Sequence, residues 1–174
     1  MLEEVILVDE SDTPVGVMEK MEAHRKALLH RAFSVFIFNR KGEMLLQRRA
    51  LTKYHSGGLW TNACCSHPRP NEDTCDAARR RLFEELGFDV PLEKIFDFTY
   101  RCEFDNGLTE HEFDHVYAGR YDQEIYPNAE EVCEYRWLSL EAVQAGLEKS
   151  PSAYTSWFHL AFPLIRSWTE RKPG

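Results

Sequence analysis

Seven short runs rich in β-branched and aromatic residues set the limits on this fold: "VILV", "FSVFIF", "EMLLQRR", "LWTNACC", "FDFTYRCEF", "HEFDHVYAGRY" and "EYRWLSL". Turn signals such as "NRKGE", "SGG" and "FDNG" separate them, because Gly, Asn, Asp and Ser tolerate the angles that reverse a chain. The spacing predicts two hairpins, around Lys41-Gly42 and around Asn106-Gly107. Helical patterns are fewer. One covers about 73–86, with Asn71 or Asp73 as N-cap and Gly87 at its end, and a second covers about 140–148 behind Ser139. A third, 150–168, puts Trp157, Leu160, Ala161, Leu164, Ile165 and Trp168 on one face, with Pro163 expected to kink or interrupt it. Strands without regular βαβ alternation predict an α+β fold or mixed-sheet sandwich rather than a doubly wound one. The 174 residues suit one domain, 1–174, large enough to bury a core unaided.

No apolar run approaches the roughly 20 residues of a membrane span. The opening "MLEEVILVDESD" lacks the basic and apolar regions of a secretory signal, so a cytoplasmic protein is expected. Five cysteines (Cys64, Cys65, Cys75, Cys102 and Cys133), an odd number with two adjacent, are expected as reduced thiols. A formal net charge of −8 disfavours nucleic acid and anionic membrane as partners. The charge is unevenly placed. Residues 44–81 hold seven basic side chains against three acidic, and residues 102–134 hold ten acidic against one basic. The first segment suits a small anion and the second, with its histidines, a metal; a solvated charged face is the plain alternative for each.

In "TEHEFDH", residues 109–115, a strand would point Glu110, Glu112 and Asp114 one way and His111, Phe113 and His115 the other. Two carboxylates about 7 Å apart on one strand face can converge on a divalent cation, or line a solvent-facing acidic edge. His24 and His30 precede "AFSVFIF", and His67 follows the adjacent cysteines. A lone histidine is more often a satisfied surface or core residue than a ligand. Three histidines joined by two carboxylates would make a mixed N/O site suited to Mn²⁺, Mg²⁺ or Zn²⁺ rather than a closed structural zinc. No second Cys/His pair at finger spacing accompanies "CCSH".

The segment "SHPRPNEDTCDAARRRLFEELGF" resembles the Nudix box, with Glu72, Arg80, Leu82, Glu84, Glu85 and Gly87 in register. It departs at Ser66, where the box has Gly, and at Arg81, where the box has a catalytic Glu. That second change argues against ordinary pyrophosphate hydrolysis. Together with "LLHRAFSVFIFN", "LWTNACCSHP", "TYRCEFDNGLTEHEFDH" and "TSWF", residues 5–168 resemble the type I isopentenyl diphosphate isomerases, a divergent Nudix-fold family.

The resemblance implies a Nudix fold, with mixed β-sheet sandwiched between helices. It also implies metal-dependent isomerisation of isopentenyl to dimethylallyl diphosphate, by a protonation–deprotonation 1,3 allylic shift in isoprenoid biosynthesis. By the same resemblance His24, His30, His67, Glu110 and Glu112 would hold Mn²⁺, Mg²⁺ or Zn²⁺, although the six-residue interval leaves His24 open as a ligand. Glu85 would hold a second Mg²⁺ arriving with the diphosphate, and no flavin is implied. Catalysis would fall to Cys65 and to Glu112 assisted by Tyr100. Glu112 is favoured as acid at C4 and Cys65 as base at C2, but the reaction is reversible and the assignment stays open. Lys20, Arg49, Lys53 and Arg81 would bind phosphate oxygens, and Trp157 would face the cationic carbon or simply pack in the core. Cys64 would be a buried neighbour, and Arg48, Arg69, Arg79 and Arg80 surface or structural ion pairs. A Nudix hydrolase of nucleoside or prenyl diphosphates is the alternative. Either way the partner is a small diphosphate, with the oligomeric state open.

Overall fold

The computed structural model describes residues 2–171. Among them, nine strands join in one mixed sheet: β1 (Glu4–Val8), β2 (Pro14–Glu19), β3 (His30–Phe38), β4 (Met44–Arg49), β5 (Trp60–Thr61), β6 (Cys64–Ser66), β7 (Glu93–Glu103), β8 (Thr109–Arg120) and β9 (Val132–Leu138). Four α-helices accompany them: α1 (Lys20–Arg25), α2 (Thr74–Leu86), α3 (Leu140–Lys149) and α4 (Ser156–Arg171). At the centre β3 runs parallel to β8, with His30 opposite Glu112 and Phe38 opposite Arg120. The other edge of β3 meets β1, β6 and β4 in turn. β7 completes an antiparallel hairpin with β8, and β9 pairs with β4. Both expected hairpins form.

Alternation along β3 decides what covers the sheet. Phe33, Val35 and Ile37 pack against Ala77, Ala78, Leu82 and Leu86 of α2 on one side. Phe36 and Phe38 pack with Val143 and Leu147 of α3 and Phe158, Phe162 and Ile165 of α4 on the other. The sheet is therefore sandwiched between helices, as expected. On β8 the residues facing this second layer, Val116 and Ala118, give way towards the strand start to Asp114, Glu112 and Glu110. The apolar layer stops where those carboxylates begin, and a pocket opens there.

The α2 boundaries follow from its ends. Asp73, not Asn71, is the cap, its carboxylate accepting from the Asp76 amide at 3.0 Å. Gly87 closes the helix at φ 80°, where a Cβ would meet the Tyr126 carbonyl oxygen at 2.8 Å, so glycine is required twice over.

Four expectations are corrected. The third helix starts at Ser156, after a 3₁₀ turn over Pro151–Ala153, and buries Trp157, Phe158, Ala161, Phe162 and Ile165. Leu160 and Leu164 are exposed instead. Pro163 does not interrupt α4: it lies on the exposed side, where the carbonyl it leaves without an amide partner can reach water. "LWTNACC" is two short strands, because the Asn62 side-chain amide donates to the Val35 and Cys64 carbonyls at 2.9 and 3.0 Å between them. β2 and α1 form where no element was expected; Glu19 caps α1 through the Glu22 amide at 2.9 Å.

Candidate active site

A cavity of about 530 Å³ opens where the acidic end of β8 meets β6, the start of α4 and the loop between β4 and β5. Glu110, Glu112, Tyr100, Cys65, His67 and Trp157 line its interior. Lys20, Arg49, Lys53 and Arg81 line it as well, so one space gathers both the acidic and the basic ends of the charge pattern.

One ligand atom each of His24, His30, His67 and Glu112 lies within 4.8 Å of the others. His24, Glu110 and His55 form a second such group. Short α1 carries His24 into both groups despite its six-residue interval from His30. The Nδ1–H of His24 donates to the Lys20 carbonyl at 2.6 Å, and that of His30 to the Leu28 carbonyl at 2.9 Å. Carbonyls only accept, so in the neutral rings both Nε2 lone pairs point inward. His24 Nε2 is buried without a hydrogen-bond partner among the described residues, 3.9 Å from Glu110. His30 and His67 bring Nε2 to 3.0 and 2.8 Å from one Glu112 oxygen. Such a set of inward imidazoles and carboxylates fits a divalent cation. The acidic-edge alternative falls, because Glu110 and Glu112 are each only 5% exposed, and Glu112 is paired on both sides, with His30 and Tyr100.

Electrostatics follow the same geometry. Burial opposes charge on Glu112, yet His67 and His30, wherever they carry an Nε2 proton to donate, hold its carboxyl well below the usual range. Burial and Glu112 push Glu110 up, but His24 and His55 outweigh them and lower it. Burial works against charging His24, while Glu110 and the Lys20 carbonyl raise its pKa. The Tyr100 hydroxyl lies 3.0 Å from Glu110 and 2.5 Å from Glu112. Burial, with the two carboxylates, drives its pKa well above 10 and keeps it a donor.

Cys65 has a different environment. Its sulfur accepts the Trp157 indole N–H at 3.2 Å and its S–H donates to Asn62 at 3.0 Å. Burial, then the Asp114 carboxylate, pushes the thiol up to about 12. Ser34 stands 3.5 Å from the same sulfur and donates to Asp114 at 2.6 Å. Cys64 is fully buried and turned away, its S–H 3.4 Å from Glu85.

The cations hold resident carboxylates. Lys20 pairs with Glu3 at 2.7 Å and Lys53 with Glu131 at 2.6 Å. Arg81 reaches Glu84 at 2.8 Å, Glu85 at 2.9 Å and Glu131 at 3.4 Å. Arg49 has no such carboxylate: it donates to the His55 carbonyl at 3.2 Å, leaves a buried Nε without a partner among the described residues, and lies 5.2 Å over the Trp157 ring.

Residues 28–158 match the NUDIX domain family. Two solved structures share the fold: DR0079 from Deinococcus radiodurans and a MutT protein from Methanosarcina mazei. The first has TM-score 0.76 and 23% identity over 91% of this chain and 96% of that one; the second has TM-score 0.67 and 21% identity over 83% and 96%. Isopentenyl-diphosphate Delta-isomerases are far nearer in sequence. That of Burkholderia multivorans is 48% identical over 98% of this chain and all of its own length. That of Pectobacterium atrosepticum is 52% identical over 94% of this chain and 92% of its own. The chain belongs to the isopentenyl-diphosphate Delta-isomerase family.

In this isopentenyl-diphosphate Delta-isomerase family member the charged residues of the Nudix box pair largely with one another. Arg80 grips Glu72 through two nitrogens at 2.8 and 2.9 Å and Glu84 at 3.1 Å, and Arg79 and Arg48 pair with Asp89 and Glu134. Arg69 is a surface residue, exposed at the cavity wall. Glu85 belongs to neither metal-capable group; it accepts from Gln47 at 2.8 Å, from Arg81 and from Cys64. Sequence reasoning missed Asn62, the Ser34–Asp114 pair and above all His55, whose ring lies 2.9 Å from Glu110. The only available signal for His55 was a histidine in the Gly/Ser-rich loop "YHSGG", which carries no period to read.

Proposed function

We propose that the protein interconverts isopentenyl and dimethylallyl diphosphate by moving a proton between C4 and C2, with this cavity as its active site. The supporting observation is that Cys65 and the Tyr100–Glu112 pair line one cavity whose remaining wall carries the four cations. Lys20, Arg49, Lys53 and Arg81 bind the diphosphate, with Lys20, Lys53 and Arg81 exchanging resident carboxylates for phosphate oxygens, where arginine can use both arms of its fork. The prenyl chain then lies towards Cys65, Tyr100 and Trp157. In the forward direction the Glu112 carboxyl gives a proton to C4, the double-bond electrons form the new C–H bond, and positive charge develops at C3. Cys65, as thiolate, takes the C2 proton, and those C–H electrons close the new double bond. The reverse reaction swaps acid and base. The balance of groups in the cavity leaves the proton on Cys65, whose thiol burial raises, and leaves Glu112 ionised by His67 and His30 against the pull of burial, so turnover in the forward direction requires that proton to be moved to Glu112 first.

Tyr100 holds the Glu112 carboxyl in position. Trp157 lines the cavity with its indole, and an indole face stabilises a carbocation by about 1–2 kcal/mol when water is excluded. His24, His30, His67, Glu110 and Glu112 would hold a divalent ion, Mn²⁺, Mg²⁺ or Zn²⁺, and Glu85, on releasing Arg81, would hold a Mg²⁺ accompanying the substrate; both would supply positive charge. The test is proton NMR of isopentenyl diphosphate with the purified protein, Mg²⁺ and Mn²⁺ in D₂O, without flavin. Dimethylallyl diphosphate carrying deuterium is the expected product. Release of phosphate or pyrophosphate from an unisomerised substrate would replace this reading with hydrolysis.

A further inference from the structure

The loop between β4 and β5 carries Lys53 and also His55, which the mechanism above does not use. The His55 side chain is buried, its Nε2 is 2.9 Å from Glu110 Oε2, and its Nδ1 is 3.2 Å from the Ser56 hydroxyl. An ionised carboxylate only accepts, so Nε2 bears the proton and, in the neutral ring, Nδ1 accepts from Ser56. Glu110 is thereby held at both oxygens, Oε1 by the Tyr100 hydroxyl at 3.0 Å and Oε2 by His55.

The ring itself is fixed on two sides. It stacks on Phe104 with centroids 4.3 Å apart and 12° between planes, and meets Trp157 edge-on at 5.6 Å. The loop conformation is specified around it. Ser56 takes φ 55°, a left-handed angle costly for a side-chain-bearing residue, and a Cβ on Gly57 would meet the Leu51 carbonyl oxygen at 2.7 Å. The carbonyl of His55 receives Arg49, and Asn106 on the β7–β8 turn donates to the Tyr54 carbonyl at 3.0 Å.

We propose that His55 is a positioning residue of the metal centre: it orients Glu110 as a ligand and ties the Lys53-bearing loop to that centre, so that binding the ion orders the loop. Hydrogen-bond partners of ligating carboxylates act in this way, and losing one costs about 10- to 100-fold in metal affinity. By linkage, an ion that draws on Glu110 stabilises whatever holds Glu110 in place. The proposal rests on the metal reading of the His/Glu cluster.

The test compares the wild type with His55→Phe, which retains an aromatic ring and removes the donor, and His55→Gln, whose amide N–H can stand in for Nε2–H. Mn²⁺ affinity is measured by chelator competition, and hydrogen exchange of the Lys53, Gly58 and Leu59 amides, which close the loop's own hydrogen bonds, is followed with and without Mn²⁺. His55→Phe is expected to lose about 10- to 100-fold in affinity together with the metal-dependent protection, and His55→Gln to recover both. Glu110→Ala, with the loop sequence intact, is expected to lose the protection too, which keeps the test decisive if His55→Phe folds poorly. Equal Mn²⁺ affinity in His55→Phe and wild type, or protection that survives Glu110→Ala, would overturn the proposal. A wild type that binds no Mn²⁺ would instead overturn the metal reading beneath it.

Discussion

Replacing Arg81 by lysine separates its two duties. The guanidinium reaches Glu84 at 2.8 Å through one nitrogen and Glu85 at 2.9 Å through another, with the side chain 19% exposed. Lysine keeps the charge but has one nitrogen, so one of the two charged hydrogen bonds is lost. Such bonds contribute about 1.5–3 kcal/mol when well made, and partial exposure sets the folding loss at about 1–2 kcal/mol, a Tm decrease of about 2–8 °C for a chain this size. Towards the substrate the same loss of the fork removes one phosphate contact. At about 1.5–3 kcal/mol that lowers kcat/KM by about 10- to 150-fold. Because the diphosphate is held alike in ground and transition states, the change is expected in KM with kcat preserved. Steady-state kinetics and a thermal melt on the same preparation report both numbers. A lower Tm with kcat/KM within twofold of wild type would make Arg81 a brace for α2 and not a phosphate ligand.

Cys65→Ala is expected to slow isomerisation by about 10²- to 10⁴-fold while metal content and fold persist; substantial retained deuterium incorporation would remove Cys65 from the mechanism. Stripping the protein with a chelator should abolish activity, and restoring free metal to 100 times its Kd adds about 2.7 kcal/mol of stability, or about 5–11 °C in Tm. An identical melt with and without metal would leave the His/Glu cluster without an ion. Arg80 hydrogen bonds, against the opposing pull of burial, lower the Glu72 pKa below 4.5. Its stabilising contribution is therefore full above that unfolded-state value and is lost as pH falls through the lower folded one. Glu72→Gln should flatten the stability loss across that acid window in urea titrations. Substrate affinity should fall with added salt if the four cations hold the diphosphate, and a salt-insensitive KM would count against them.

What the sequence revealed depended on whether a residue's role was local. The cap, narrowed to Asn71 or Asp73, the stop at Gly87 and the Glu72–Arg80–Glu84 spacing lie within one helix and its flanks, and were readable to that extent. So was the alternation that puts Glu110 and Glu112 on one face of β8. The α4 face was misread because one helical period fits two phases: Trp157, Ala161 and Ile165 belong to both, and only the packing of Phe158 and Phe162 against Phe36 and Val116 selects the true one. β2 escaped notice because "PVGVME" carries Pro and Gly and its first four residues are exposed, so no buried alternation marked it. His55 was illegible for a stronger reason. Its partners Glu110, Phe104 and Trp157 are about 50 to 100 positions away, and no local pattern announces a contact made only when a loop folds onto a hairpin.

The parallel pairing of β3 with β8 has a consequence for how the chain reaches its native state. His30 stands opposite Glu112 only in the observed register, and a slip of one residue would turn every β8 side chain to the opposite face. Glu110, Glu112 and Asp114 would then point at the layer covered by α2, while His111, Phe113 and His115 entered the pocket. Contacts between strands so far apart in sequence form late and at high entropic cost, so the misregistered sheet is a natural competitor during folding. An ion that binds only when His24, His30, His67 and Glu112 converge rewards the correct alignment alone. A cation held by this cluster would thus also act as a proofreader of the central sheet, and refolding yield, not only final stability, should rise when it is present from the start.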